Sequence, residues 1–169
     1  MIIKFFKIKG GKMSKVLKLV VSLAIPLIVG FVGSMFTSTS VNTWYKEINR
    51  PSFTPPNWLF APAWTLLFIL MGLAFYFAWL KGFGGNPSLC IGIFAVQLLL
   101  NFLWSILFFG LKAPLYAFVE IVFLWVAILI NVIVFFRVSR VSGYLLLPYI
   151  LWVSFASALN LGVVLLNKF

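Results

Sequence analysis

The sequence predicts an all-α, polytopic membrane protein, a bundle of five transmembrane helices. Three observations carry this: the composition, five apolar runs of spanning length, and polar residues that fall on one stripe of each of the last three runs. Hydrophobic residues make up 64% of the 169 and charged residues only 9%. A soluble domain carries roughly 25% charged residues, and a fold with so few could not cover its surface in water. In a bilayer the outer surface meets hydrocarbon, so the same composition is what the solvent demands.

The apolar runs cover about residues 17–37, 60–80, 88–109, 113–136 and 142–166. Each has the ~20 residues needed to cross ~30 Å of hydrocarbon. The first is too long for the apolar stretch of a signal peptide and ends without a small-residue cleavage pattern, so it reads as a retained helix. Met13 opens the stretch MSKVLKLVVSLAIPLIVG, which looks like a start, and residues 1–16 read as a basic N-terminal extension. Residues 17–169 then form a single membrane domain.

The connections are punctuated by turn residues. Lys81 to Pro87 is a Gly-rich turn, Gly110 to Pro114 a tight one with Pro114 in the first helical turn, and Arg137 to Ser142 a short polar link. Short links make neighbouring helices antiparallel. The first connection, about 38–59, differs. It is long, carries Pro51, Pro55 and Pro56, and holds Trp44, Tyr45, Phe53 and Trp58. Loops of that length are more often functional than idle.

Charge and residue types exclude several classes of function. The net charge is +11, with Glu47 and Glu120 the only acidic residues. Six lysines (Lys4, Lys7, Lys9, Lys12, Lys15, Lys18) crowd the first eighteen positions. Lysines beside a membrane helix meet anionic lipid, and no basic patch on a soluble fold points to nucleic acid. The positive-inside rule places the N-terminus in the cytoplasm, with nine Lys and Arg on that side against four on the other. Counted from Met13 the margin shrinks to five against four. Cys90 is the single cysteine and there is no histidine. That removes a disulfide framework, a Cys/His zinc site, the usual axial ligand of haem, and any Ser-His or Cys-His nucleophile. Two carboxylates in distant segments make no metal cluster.

Polar side chains inside a membrane are costly, so their placement is informative. In the third run Gln97, Asn101, Trp104, Ser105 and Phe108 share one face. Glu120, Leu124, Ala127 and Asn131 do so in the fourth, and Tyr149, Trp152, Ala156 and Asn160 in the fifth. Trp64 opens the second run just after Pro62. Lipid rejects these faces, so they point inward. Interhelical hydrogen bonds, worth ~0.6–2 kcal/mol each, explain the amides. They do not explain the inward tryptophans, which suit a flat aromatic ligand. Small residues recur every four positions at Ser22, Pro26, Gly30 and Ser34, and again at Ser154, Ala158 and Gly162. Such faces let helices approach closely. Packing inside the bundle is the first reading and a homodimer seam the alternative.

Three stretches are recognisable together: WYKEINRPSFTPPNWLFAPAWTLLFILMG from Trp44 to Gly72, QLLLNFLWSILFFG from Gln97 to Gly110, and LLPYILWVSFASALN from Leu146 to Asn160. In order and spacing they closely resemble the TspO/translocator protein family, also called tryptophan-rich sensory proteins. The resemblance implies a five-helix fold with a ligand pocket opening towards the first loop. It implies porphyrin or haem as ligand, with no obligatory cofactor; some family members bind sterols or synthetic aromatic ligands instead. Some bacterial members promote light-dependent porphyrin breakdown, and the tryptophans linked to it match Trp64 and Trp152. The pocket Asn and Trp of helix three match Asn101 and Trp104, and the loop aromatics match Trp44, Tyr45, Phe53 and Trp58. One departure stands out. Animal members carry a sterol-linked motif with Tyr after ALN, whereas here Leu161-Gly162-Val163 follows, so that motif is not carried over.

The expected ligand site comprises Trp44, Tyr45, Arg50, Phe53, Trp58, Trp64, Gln97, Asn101, Trp104, Phe108, Tyr149, Trp152, Ala156 and Asn160, and no metal. The leading function is a tetrapyrrole-binding sensor or regulator, in which the macrocycle stacks on Trp64, Trp104 and Trp152 while Lys46 or Arg50 meets its propionates. The second is a porphyrin photo-degrader using Trp64 and Trp152 as redox participants. Transport ranks last, because the chain has neither an inverted repeat nor a broken helix pair. The partners expected are the flat hydrophobic ligand and membrane lipid.

Overall fold

The computed structural model describes residues 13–167. Lys4, Lys7, Lys9, Lys12 and Lys168, and most of the expected basic extension, lie outside them. The described chain forms five long helices: α1 Lys15–Val41, α3 Asn57–Leu80, α4 Pro87–Ser105, α5 Pro114–Val138 and α6 Arg140–Leu166. A four-residue helix, α2 Trp44–Glu47, sits in the first loop. With a π turn over Ile106–Gly110 continuing α4, all five long helices are long and apolar enough to cross a membrane. The protein is an integral, multi-pass membrane protein.

Helix starts follow local chemistry. Ser14 Oγ accepts from Leu17 N at 3.1 Å, and Asn86 Oδ1 from Leu89 N at 3.1 Å. Pro87 and Pro114 occupy first-turn positions where their missing N–H costs nothing. Two boundaries differ from the sequence reading. α1 runs on to Val41, because Ser34, Ser38 and Thr39 donate to the carbonyls of Phe31, Met35 and Phe36, so a polar stretch stays helical with its hydroxyls paired. α3 starts at Asn57 and carries Pro62 inside its second turn.

The helices close into a ring in the order α1, α3, α6, α5, α4 and back to α1. α1 is seated differently along its length. In the half away from the first loop it leans on α3. A β-carbon at Gly72 would stand 2.8 Å from Ser22 O and 2.9 Å from Leu23 Cα, so the two backbones touch. Gly30 gives room to the Phe68 ring in the same seam. In the loop half α1 leans on α4 instead. A β-carbon at Gly33 would lie 3.4 Å from Ser105 Oγ, the Phe36 and Phe102 rings are 6.1 Å apart, and Ser40 Oγ donates to Phe109 O at 2.6 Å. The stripe Ser22, Pro26 and Gly30 therefore serves packing within the bundle.

The dense core occupies the half away from the loop. Phe75 packs on Phe94 at 4.6 Å, and Phe94 stacks on Phe135 at 6.1 Å, around Met71, Ala78, Ile128 and Leu146. The inward polar residues are buried: Gln97 0%, Asn101 5%, Glu120 7%, Asn131 1% and Asn160 1% exposed. Trp104 and Trp152 are half-buried. The loop half has a smaller core, Tyr45, Phe108, Phe109, Ala117 and Val163, beside a cavity.

Candidate ligand cavity

The cavity has a volume of about 590 Å³ and is walled by α1, α3, α4 and α6 under the first loop. That size falls within the usual range for small-molecule sites. Its aromatic face is built from three tryptophans on three helices. Trp64 on α3 lies 6.5 Å from Trp104 on α4 and 6.4 Å from Trp152 on α6, nearly perpendicular to the latter at 85°. Phe60 and Phe155 extend the surface beside Trp152, at 6.2 and 5.8 Å.

Hydrogen bonds fix the polar floor. Trp104 Nε1 donates to Asn160 Oδ1 at 3.1 Å, and Asn160 Nδ2 donates to Pro114 O at 2.8 Å. The Trp104 ring is thereby held, and its N–H is spent inside the protein. Asn101 Nδ2 donates to the Tyr149 hydroxyl at 3.1 Å. Trp152 Nε1 is buried and has no hydrogen-bond partner among the described residues. Among the described residues no charged side chain lines the cavity.

The π turn shapes the loop-side wall. Leu111 N bonds to Ile106 O at 2.7 Å and Ala113 N to Leu107 O at 3.0 Å, which widens the helix and turns both Phe108 and Phe109 inward. Phe108 stacks on Trp104 at 5.1 Å. Tyr45 of α2 sits above them, 6.1 Å from Phe108 and 5.7 Å from Phe109. Burial pushes the Tyr45 phenol up from its usual range, and Arg50, whose guanidinium lies 5.1 Å over the ring, partly offsets this. The phenol is therefore neutral near pH 7.

The first loop is fastened to the end of α6. Asn49 N donates to Asn167 Oδ1 at 3.0 Å, and Asn167 Nδ2 donates back to Asn49 O at 2.8 Å. Pro51 lies against the bare backbone of Gly162. Gly162→Val is therefore expected to push Pro51 off α6 and expose the loop, with trypsin cutting after Lys46 severalfold faster than in wild type. Equal cleavage rates, read by mass spectrometry, would disprove this docking.

Of the residues singled out from sequence, Tyr45, Trp64, Asn101 and Trp104 line the cavity, together with Phe108, Trp152, Ala156 and Asn160. The other six do not. Tyr149 is fully buried behind Trp64 and Asn101. Gln97 lies a turn deeper, its Nε2 3.7 Å from Met71 Sδ. Trp44 packs on Phe108 at 5.8 Å and Phe53 on Phe155 at 6.3 Å. Arg50 and Trp58 line a separate outer depression of about 920 Å³ on the loop, together with Lys46. Asn57 borders both spaces and accepts from Arg50 Nη1 at 3.3 Å. Sequence reasoning put the first helix in the wall but named none of its lining residues, Gly30, Ser34, Thr37 and Ser38, as part of the site, nor Phe60, Thr65 and Phe155. The every-fourth-residue stripe of α1 was the available signal, and it reads equally well as helix packing.

A sequence profile of the TspO/MBR family matches residues 22–166. A protein of Archaeoglobus fulgidus named "Tryptophan-rich protein TspO" is 52% identical over 152 residues, covering 90% of this chain and 98% of the relative. One of the same name from Chlorobaculum tepidum is 43% identical over 154 residues, with 90% and 98% covered. The "Translocator protein" of Bos taurus is 33% identical over 138 residues, with 80% and 82% covered.

Proposed function

The chain belongs to the TspO/MBR family, and from that premise we propose that it binds a tetrapyrrole in the cavity and acts as a membrane sensor or regulator. The observation that carries the proposal is the three-tryptophan wall in a cavity without charge. A flat macrocycle offers two large π faces, and stacking on aromatic rings stabilises it by ~0.5–1.5 kcal/mol per pair beyond simple burial. Its carboxylates cannot be left in so apolar a space. They extend past Asn57 towards Lys46 and Arg50 in the outer depression, where charge-assisted hydrogen bonds await them. The proposal includes a cytoplasmic N-terminus, which the positive-inside rule supports: among the described residues Lys15, Lys18, Lys81, Arg137 and Arg140 sit at the end opposite the first loop, against Lys46, Arg50 and Lys112 at the loop end.

Iron plays no part in this mode of binding. Tyr149, a residue type that can ligate haem iron, is 0% exposed and its hydroxyl is engaged by Asn101. Free-base protoporphyrin and haem should therefore bind within roughly tenfold of each other, ~1.4 kcal/mol, in both wild type and Tyr149→Phe. Saturable tryptophan quenching in a paired titration measures this. No saturable binding of either compound would overturn the tetrapyrrole reading. A haem preference above a hundredfold that vanishes in Tyr149→Phe would overturn metal-free stacking.

A second reading, light-dependent porphyrin breakdown, is favoured by the contiguity of Trp64 with Trp104 and Trp152, which places oxidisable indoles around a light-excited macrocycle. Trp→Phe variants that keep binding and lose breakdown would support this second reading.

A further inference from the structure

α1 and α3 run antiparallel with the same rise per residue, so one contact fixes the register of the whole seam. Leu23 lies opposite Gly72. Counting along both helices from there puts Gly30 opposite Thr65, Ser34 opposite Ala61, and Ser38 opposite Asn57. The first part of the seam is closed by touching backbones and by Phe68 against Gly30. Beyond Gly30 it is not. Ser34, Ser38, Ala61 and Thr65 are all exposed, and all four line the cavity. Phe31, a large apolar side chain 71% exposed, lines it too, which a closed wall would not allow.

The cause is the oblique seating of α1. Its loop half is drawn to α4 through Gly33, Phe36 and Ser40, which closes that seam and parts the one with α3. The surface around the gap is apolar: Ile28, Phe31, Met35 and Leu66 are 60%, 71%, 58% and 57% exposed, so it faces hydrocarbon. The hydroxyls at its edges are already paired. Ser34 donates to Phe31 O at 2.7 Å, Ser38 to Met35 O at 3.1 Å, and Thr65 to Ala61 O at 2.8 Å. An apolar molecule passing between them breaks no hydrogen bond. The aqueous side is obstructed, by Tyr45 beneath Arg50 and by Arg50 bonded to Asn57.

We infer that the cavity takes its ligand sideways, from the loop-side leaflet of the bilayer, through the gap between α1 and α3 at Ser34 and Ala61. The inference rests on the proposed binding of a flat apolar ligand. Such a molecule concentrates in hydrocarbon rather than water, with its carboxylates at the interface. The gap ends at Asn57, next to Lys46 and Arg50, so the anionic edge moves along the membrane surface while the ring slides in.

The test uses the full chain with Ser34→Cys and Ala61→Cys, reconstituted in phosphatidylcholine vesicles already loaded with free-base protoporphyrin. The native Cys90 is buried and is left in place. The two new thiols are joined as a disulfide or through dibromobimane, and loading is followed by tryptophan quenching. The bridged protein is expected to load at least tenfold more slowly than the unbridged double variant, and reduction of the disulfide should restore the rate. Loading within threefold of the unbridged rate would overturn the lateral route. Failure of the unbridged protein to bind at all would instead count against the tetrapyrrole reading. Where no bridge forms, Ala61→Trp narrows the same gap: loading slowed threefold or more supports the route, and loading at the wild-type rate overturns it.

Discussion

Gly72→Leu is expected to lower the melting temperature in detergent by about 10 °C and to abolish saturable porphyrin binding. The first β-carbon would already stand 2.8 Å from Ser22 O and 2.9 Å from Leu23 Cα. Both are backbone atoms, which cannot swing aside as a side-chain end can. α1 must then move bodily from α3, which breaks the packing of Ser22, Pro26 and Gly30 and displaces a wall of the cavity. Overpacking costs typically ~1–3 kcal/mol, with backbone against backbone at the upper end, and for a chain of this size each kcal/mol shifts melting by ~2–4 °C. Gly72→Ala should fall between the two. A leucine variant that melts within 2 °C of wild type would show that the helices are not in backbone contact.

Trp64→Ala is expected to weaken protoporphyrin binding about thirtyfold, or ~2 kcal/mol. Trp64 is the hub of the aromatic wall, in ring contact with Phe68, Trp104, Tyr149 and Trp152. Its loss removes a stacking partner and loosens two others. The effect of adding Trp152→Ala should therefore be less than additive, since Trp152 is partly held by Trp64. Trp64→Phe keeps a ring in place and should cost no more than about fivefold. Isothermal titration in nanodiscs of wild type, Trp64→Ala, Trp152→Ala, the double variant and Trp64→Phe measures this. Strict additivity, or an unchanged Trp64→Ala affinity, would show that the indoles act apart or that the ligand lies elsewhere.

The helices were readable because the bilayer imposes both their length and their polarity pattern. Asn101, Trp104, Trp152 and Asn160 were readable for the same reason, since a polar or amphipathic group on an inward stripe has few places to be. The first loop resisted. Trp44, Tyr45, Phe53 and Trp58 are all loop aromatics in sequence, yet Tyr45 is 6% exposed and Trp58 72%. Their difference is set by α2 and by the attachment of Asn49 and Pro51 to α6, contacts between positions more than a hundred residues apart. Nor does periodicity reveal the π turn. One extra residue per turn at Ile106–Gly110 leaves the apolar pattern intact while turning Phe109 inward beside Phe108. The Gly30 and Ser34 stripe has one meaning at each end, tight packing near Gly72 and an open wall beyond, because α1 changes neighbours midway.

The clasp between Asn49 and Asn167 has a consequence for the timing of assembly. The two residues are 118 positions apart. A chain emerging from the ribosome at ~5–20 residues per second presents the loop many seconds before the residue that fastens it. α1 and α3 can pair early through Gly72, but the fourth wall of the cavity and the latch of its roof arrive only with the final helix. Until the last turn of α6 has been made, the cavity therefore lacks both Trp152 in its wall and the fastening of the loop above it.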